Sequence, residues 1–345
     1  MDRNKFDFKH LLLLGASGIV LSWGLCACDS KASSDKAVSS AKVTQQTLTE
    51  LPEEIEGLLS FNVNVPNFSN VTGGVFRLKL EEGKIVENRT ITNSSSGVSP
   101  YLHTSGKIVF TEPCGLAVNR IKMFKTNGLV TKALTLCTEK IKRENIYSPK
   151  IAFGKLSPDE SKIATELYYS NNHYISNPDN MVLIYDVKTG EELKRYVNFG
   201  NAEWHPDGRL LITPAGSGTV DTGIYMTNEN FTNLSRIDKN EINMDVYMPD
   251  ISPSGEQVVF TMGQQIWMMD INGDNLHEII VGNANLQYPT WSPDEKYIAY
   301  LRYHNSSSDK QIMFYNLDSK KRIGLNTSDV LPLRSNPGGP LSWIK

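Results

Sequence analysis

The sequence predicts an all-β protein built from repeated hairpins, and three observations predict it. A short turn motif occurs five times between residues 102 and 295, and strand signals of a second hairpin follow each copy. A partial copy, Pro340-Leu341-Ser342-Trp343, stands near the C-terminus. The motifs recur about 40 to 54 residues apart, a period typical of repeat architectures.

Each copy of the turn motif has an apolar residue, a small polar residue or His, usually Pro, then Asp or Ser, and then Gly or Glu. Pro sets φ for a turn, Asp caps it, and Gly permits positive φ, so each copy predicts a strand-turn-strand hairpin. The five copies are Leu102-His103-Thr104-Ser105-Gly106, Leu156-Ser157-Pro158-Asp159-Glu160, Trp204-His205-Pro206-Asp207-Gly208, Ile251-Ser252-Pro253-Ser254-Gly255 and Trp291-Ser292-Pro293-Asp294-Glu295.

A second hairpin is predicted six times. Its first strand is apolar or alternating, and in most copies it turns through Gly or polar residues into a further strand. These strands are predicted at residues 75–80, 121–125, 181–186, 223–227, 266–270 and 312–316. The sequence thus predicts six second hairpins but only five complete first hairpins. The partial copy near the C-terminus supplies the sixth first hairpin.

The sequence therefore predicts a six-bladed β-propeller of four-stranded antiparallel blades over residues 55–345, in preference to a seven-bladed one. The C-terminal strand is expected to pair with residues 57–92, so that N- and C-terminal segments close the ring in one shared blade. Such closure leaves no long unpaired strand between the ends.

The stretch from Trp291 to Tyr300, with Ile266 to Gly273 before it, resembles the repeat of TolB-like propellers. The same repeat occurs in the propellers of prolyl-oligopeptidase-type peptidases and of oligogalacturonate lyases. The resemblance covers roughly residues 55–345 and implies an architecture, not a function. Residues 29–55 are too few and too polar for the α/β domain that precedes the propeller in TolB, so TolB's partners are not expected to carry over.

The N-terminus predicts export. Basic residues at 3, 5 and 9 precede an apolar run at 11–25, the layout of a signal peptide over residues 1–27. The run is shorter than the ~20 apolar residues that span a bilayer, which favours cleavage over an uncleaved anchor. Leu25-Cys26-Ala27-Cys28 resembles a bacterial lipobox and implies lipidation of Cys28, with Cys26 as the alternative.

Residues 28–54 are mostly polar and small, and this composition predicts a flexible tether between the lipid and the propeller. The lipobox resemblance implies a lipid-anchored protein that faces the periplasm. In enteric bacteria an Asp after the lipidated cysteine resembles an inner-membrane retention signal, and Asp29 occupies that position.

The composition limits the classes of binding partner that can be expected. The formal net charge of -3 gives no reason to expect nucleic acid. A monomer without a cofactor is expected. Two of the six histidines, His103 and His205, fall in the second position of the turn motif, so they are interpreted as turn residues.

A recognition rim is predicted on the loops between second and third strands, which in propellers share a face with the connections between blades. Aromatic residues and Arg are enriched at binding hot spots. The alternative is that these are solvated loops whose tyrosines pack on neighbouring blades. The candidate rim residues are Tyr168, Tyr169, His173, Tyr174, Asp221, Arg302, Tyr303 and His304.

Two cysteines flank the middle hairpin of the second blade. Cys114 and Cys137 are predicted at the same rim, where an exported protein can oxidise them to a disulfide. A pair of free buried thiols is the alternative.

The predicted function is a lipid-tethered binding or scaffolding module for an envelope protein or glycan. The alternative is a propeller lyase or hydrolase acting on envelope saccharides or peptides, which needs His, Asp, Glu or Arg at the central funnel. Resemblance to oligogalacturonate lyases implies a histidine-bound metal, for which only His173 and His304 are available.

Overall fold

The structure is a computed structural model that describes part of the chain. The described residues are 51–64, 74–91, 100–113, 118–124, 130–137, 149–169, 180–215, 220–303, 310–325, 331 and 336–345. The predicted signal peptide, Cys28 and most of the tether lie outside these ranges. Within the ranges, no helix is long and apolar enough to cross a membrane.

The described residues form 24 strands in six four-stranded sheets. In order of hydrogen-bonded neighbours, the first sheet consists of β24 (Asn336–Ile344), β1 (Gly57–Asn64), β2 (Gly74–Glu81) and β3 (Lys84–Thr90). The second consists of β4 (Tyr101–Leu102), β5 (Ile108–Pro113), β6 (Val118–Phe124) and β7 (Val130–Cys137). The third consists of β8 (Pro149–Leu156), β9 (Lys162–Tyr169), β10 (Met181–Asp186) and β11 (Glu192–Val197). The fourth sheet consists of β12 (Phe199–Trp204), β13 (Leu210–Pro214), β14 (Tyr225–Thr227) and β15 (Leu234–Arg236). The fifth consists of β16 (Val246–Ile251), β17 (Gln257–Met262), β18 (Gln265–Asp270) and β19 (His277–Ile280). The sixth consists of β20 (Asn285–Trp291), β21 (Tyr297–Tyr303), β22 (Lys310–Asn316) and β23 (Arg322–Gly324).

All pairings within the sheets are antiparallel, and the first-named strand of each sheet is its inner strand. Each inner strand contacts the inner strands of the two neighbouring sheets: β4 contacts β8, β8 contacts β12, and the series continues until β24 contacts β4. The inner strands therefore surround a common axis. The prediction of an all-β propeller with four-stranded antiparallel blades is confirmed.

The two ends of the described chain meet in one sheet, as predicted. Leu58 pairs with Ile344, and the pairing of β1 with β24 continues to Asn64 and Asn336. The Trp343 indole N–H donates a hydrogen bond of 2.8 Å to the Glu56 carbonyl. The last strand is thus the inner strand of a sheet whose other three strands come from the N-terminal side.

The hydrophobic core lies between successive sheets. One cluster packs Phe61 and Leu59 of β1 against Phe314 of β22 and Trp343 of β24, all with 6% exposure or less. Burying one such side chain stabilises the fold by about 1.5–3 kcal/mol. Because the clusters join neighbouring sheets, the blades support one another side by side.

The repeated turns adopt the predicted geometry. In the third sheet Glu160 N–H donates to the Ser157 carbonyl at 2.8 Å, and Ser157 N–H donates to the Lys162 carbonyl at 2.9 Å. The fourth residue after each anchor has positive φ whether it is Gly or Glu. These residues are Gly106, Glu160, Gly208, Gly255 and Glu295.

The two repeat histidines are turn residues, as predicted, and they also join neighbouring blades. His103 Nε2 lies 3.1 Å from the Ser157 carbonyl, and His205 Nε2 lies 3.0 Å from the Gly255 carbonyl. Burial lowers the pKa of His103. A Cβ on Gly255 would stand 2.8 Å from His205 Nε2, so a glycine is required where the His205 imidazole reaches the neighbouring blade.

Candidate axial binding site

The structure describes only part of the predicted recognition rim. Tyr168 and Tyr169 end strand β9, and their side chains are not among those described. His173, Tyr174 and His304 lie outside the described residues. The proposal that these residues form one surface therefore stays a prediction.

Three of the predicted rim side chains are described, and they lie on two different blades. Asp221 is exposed between β13 and β14, and its carbonyl accepts a hydrogen bond from Tyr225. Arg302 and Tyr303 end β21, two sheets away, and the Lys310 ammonium lies 4.7 Å from the Tyr303 ring centroid. Burial raises the pKa of Tyr303. Tyr303 thus contacts its own blade through Lys310 and also packs against the core cluster that its blade shares with the neighbouring one.

The predicted disulfide is also untested. Cys137 ends β7 and pairs with Val118 of β6, while Cys114 lies outside the described residues. Strand β6 lies between β7 and the end of β5, which is the strand leading to Cys114.

A different set of polar residues converges at the propeller axis. The residue immediately before each apolar anchor of the repeat faces the centre, and it is polar in all six sheets. We call this set the axial ring. Its members are Tyr101, Lys155, Glu203, Asp250, Thr290 and Ser342.

The axial ring lies between two cavities. One, of about 40 Å³, is also lined by Glu166, Asn201, Met248 and Tyr288. The other, of about 230 Å³, opens among the repeated turns and is also lined by residues such as His103 and Trp204. Four ring members line both cavities, so the ring can be reached from either side. They are Tyr101, Glu203, Asp250 and Ser342.

A buried ion pair forms the charged centre of the ring. Lys155 Nζ contacts Glu203 Oε2, and their side chains are 15% and 6% exposed. Burial by itself lowers the pKa of Lys155, but the Glu203, Asp250 and Glu166 carboxylates outweigh it and raise the pKa. The Lys155 ammonium also lies 5.8 Å from the Tyr101 ring centroid. The ammonium therefore stays charged in a site with little solvent.

Asp250 is held by the next blade. Its Oδ2 accepts hydrogen bonds from Thr290 Oγ1 at 2.9 Å and from Trp291 N–H at 2.8 Å. The Trp291 indole N–H donates to the Asp250 carbonyl at 3.1 Å. Burial, followed by the charge of Glu203, raises the pKa of Asp250 to about 7.

Glu166 adds a third carboxylate from the second strand of its blade. Its Oε1 accepts a hydrogen bond from the Ala202 N–H at 3.0 Å, across the boundary between blades. Burial raises the pKa of Glu166, and the positive charge of Lys155 opposes this shift. The axis therefore carries three carboxyl groups and one ammonium group.

The small cavity is shaped by β-bulges in the inner strands. Pairing slips between Gly200 and Glu203, and the next two inner strands slip at the equivalent place. One residue of each bulge has positive φ and lines the small cavity. These residues are Asn201 (φ 48), Met248 (φ 55) and Tyr288 (φ 54).

The left-handed backbone is unusual for Met248 and Tyr288, since only Gly, Asn and Asp adopt it readily. Backbone strain of this kind concentrates at functional sites. Gly339 lies against the Tyr288 ring, and a Cβ there would stand 2.2 Å from ring atoms. The glycine leaves room for the Tyr288 ring that lines the small cavity.

The sequence contained a signal for the axial ring that the motif reading missed. Sequence reasoning started each repeat at its apolar anchor, and the ring residue stands one position earlier. A polar residue before the anchor in every copy, including Ser342 before Trp343, marks this position. Among the described residues no group of three His, Cys, Asp or Glu side chains is placed to hold a metal ion.

Comparison with known sequences yields limited similarity. No family model matches the chain. The uncharacterized protein Atu1656 of Agrobacterium fabrum is 27% identical over 136 residues, covering 34% of this chain and 45% of that protein. The chain therefore matches less than half the length of this relative.

Comparison with solved structures establishes the fold. TolB from Acinetobacter baumannii superposes with a TM-score of 0.62 at 13% identity, covering 86% of this chain and 69% of TolB. Hydrazine synthase from Kuenenia stuttgartiensis gives a TM-score of 0.56 at 12% identity, covering 84% of this chain and 47% of that one. The chain has a TolB-like β-propeller fold.

Proposed function

We propose that this chain is a cell-envelope binding module in which a six-bladed propeller receives a group of a partner protein at its axis. The observation that carries the proposal is the axial ring, in which each of six sheets contributes one polar side chain to adjoining cavities. Polar groups that converge in a concave site typify ligand recognition.

Six blades are part of the proposal. The six sheets contact one another in a closed series, and the six ring residues occupy one equivalent position in each. The second sheet has an inner strand of only two residues, Tyr101–Leu102, yet Tyr101 still reaches the axis. A shared position in every sheet supports one ring of six.

Envelope location and lipid anchoring are also proposed. The N-terminal layout and the lipobox resemblance support an acyl chain on Cys28, and homologues of TolB are periplasmic. An acyl-anchored monomer would present the propeller to proteins at the membrane surface. Asp29 supports the inner membrane where the enteric sorting rule applies.

Site-specific crosslinking in cells tests the function. A photoreactive phenylalanine analogue replaces Met248, which lines the small axial cavity, and the control replaces Leu193, which is 46% exposed on outer strand β11. We expect a discrete protein adduct from position 248 and none from position 193. Mass spectrometry of the same material identifies the mature N-terminus, for which lipidated Cys28 is expected.

Two outcomes would contradict the proposal. An adduct from position 193 but not from 248 would place the interface on the blade edges. A glycan in the adduct, instead of a polypeptide, would replace the protein partner with a saccharide.

An enzyme is the second candidate, favoured by the same carboxyl groups. Asp250 has a pKa of about 7, which suits a general acid, and Glu203 and Glu166 lie beside it. A lyase or hydrolase needs such a convergence of acidic groups at the central funnel. Release of soluble fragments from envelope polysaccharide or peptide, abolished in Asp250→Asn, would favour the enzyme over the binding module.

A further inference from the structure

The axial charges do not balance. Glu166 from β9, Glu203 from β12 and Asp250 from β16 face the ammonium of Lys155 from β8, and Tyr101 from β4 and Thr290 from β20 complete the surroundings. With all groups ionised, the site would carry two uncompensated negative charges. Charges of one sign repel strongly where protein replaces water, so one carboxyl group is driven to retain a proton.

The hydrogen bonds indicate which group holds it. Both oxygens of Glu203 are engaged, one by Lys155 and the other by the Trp204 N–H at 3.1 Å. In Asp250 both donors reach Oδ2. Glu166 accepts hydrogen bonds from the backbone N–H groups of Ala202 and Asn201. Within the described part of the chain no donor contacts Asp250 Oδ1, which leaves this atom to carry a proton.

We propose that Asp250 stores an exchangeable proton in the axial ring and that a cationic group of the bound partner replaces it. The second half of this inference rests on the proposed function, since it names the chemistry of the group that enters. A primary ammonium, as in a lysine side chain, takes the place of the proton that Asp250 releases to solvent, so the net charge of the site does not change. The small cavity suits a slender chain, and Met248, Tyr288 and three prolines provide apolar walls for its methylene groups.

The proton store makes the site sensitive to pH. Below about pH 7 the Asp250 carboxyl is mostly neutral, and above it the carboxylate forms. A folded-state pKa above the unfolded value means that the native state binds more protons between about pH 4 and 7. The native state therefore loses stability as pH rises through this range, and a cation binds more tightly above it.

Carboxyl NMR of the full chain tests the proton store. With ¹³C at the aspartate side-chain carboxyl, we expect one resonance to titrate near neutral pH and to vanish in Asp250→Asn. Asp159 provides an internal control, because hydrogen bonds from Ser157 and Ser161 lower its pKa to about 2. Absence of a neutral titration in wild type would overturn the proposal.

Thermal unfolding between pH 5 and 8 gives a second readout. Wild type should lose stability relative to Asp250→Asn as pH rises, because the asparagine remains neutral. Parallel curves for the two proteins would contradict the stored proton even if the spectrum were crowded.

The exchange step is tested with n-butylammonium chloride as the probe and n-butanol as its uncharged control. We expect n-butylammonium, but not n-butanol, to shift the Asp250 titration to lower pH. If Asp250 titrates near neutral pH but neither n-butylammonium nor n-butanol shifts that titration, the cation exchange would be overturned. The proton on Asp250 would then stand without it. Failure of crosslinking at position 248 would instead overturn the proposed function, so the separate failures are distinguishable.

Discussion

Two polar positions flank the apolar anchor in each of the five complete repeats, and they behave differently. The position after the anchor is buried at the turns, and the side chains of His103 and His205 at this position hydrogen-bond to the next blade. The position before it, as in Lys155 and Asp250, faces the axial cavities. Neighbouring residues of one motif thus serve assembly and the candidate site.

The difference lies in how their polar groups are satisfied. The Nε2 atom of each turn histidine meets a backbone carbonyl of the next blade, and Nδ1 of His205 lies 2.7 Å from Oδ1 of Asp207. The axial groups meet one another, and three carboxyl groups share one ammonium. Complete pairing indicates a structural role, whereas incomplete charge balance leaves chemistry for a ligand.

The largest expected effect follows removal of the axial cation. Lys155→Met leaves Glu203 buried without its partner, and the free energy of unfolding should fall by about 3–5 kcal/mol at pH 8. Chemical denaturation measures it. Lys239→Met is the matched control, because its ion pair with Asp274 is about half exposed and contributes about 0–1 kcal/mol.

A second variant separates charge from packing in this comparison. Adding Glu203→Gln to Lys155→Met removes the unpaired charge, and part of the lost stability should return. If the double variant is as unstable as the sum of the single ones, the ion pair does not explain the loss.

A smaller loss is expected from the turn position. His205→Ala removes the hydrogen bond to Gly255 and should lower the free energy of unfolding by about 1–3 kcal/mol. Crosslinking from position 248 should persist in this variant. His277→Ala, at an exposed site, should change stability by less than about 0.5 kcal/mol. If the folded His205→Ala variant loses the crosslink, the turn position also contributes to the candidate site, and the two positions do not have separate roles.

The smallest expected change concerns the strained bulge. Met248→Gly removes the cost of a left-handed methionine, and the free energy of unfolding should rise by about 0.5–1 kcal/mol. Binding of the partner, measured by pull-down, should weaken because the small cavity loses an apolar wall. Asn240→Gly, in an exposed turn with φ 61, is the control and should leave binding unchanged. Reduced stability in Met248→Gly would show that packing outweighs strain there.

Much of the fold could be predicted because each repeat carries its own local signal. Pro, Asp and Gly at fixed positions define the turns, and alternating apolar residues define the strands. Closure could also be predicted, because Trp343 repeats the anchor without a turn after it. The strand pairs at 57–64 and 336–344 agree with that expectation.

The candidate site was harder to predict. Tyr303 was predicted for the rim because it stands in a loop region rich in aromatics, and this stays a prediction because most of the rim lies outside the described residues. Glu203 and Asp250 looked like ordinary charged residues, since strands commonly expose charge on alternate positions. Loop chemistry is visible in a sequence, whereas the side of a strand that faces an axis depends on closure.

The sequence by itself determined the all-β repeat, its turns and the meeting of its two ends, because these depend on residues close together in the chain or on a pattern that recurs. Only the tertiary structure decided that Lys155, Glu203 and Asp250 meet, since they lie on different blades and approach one another only when the ring closes. Their proton affinities follow from that closure, because burial and neighbouring charge act through space and not along the sequence.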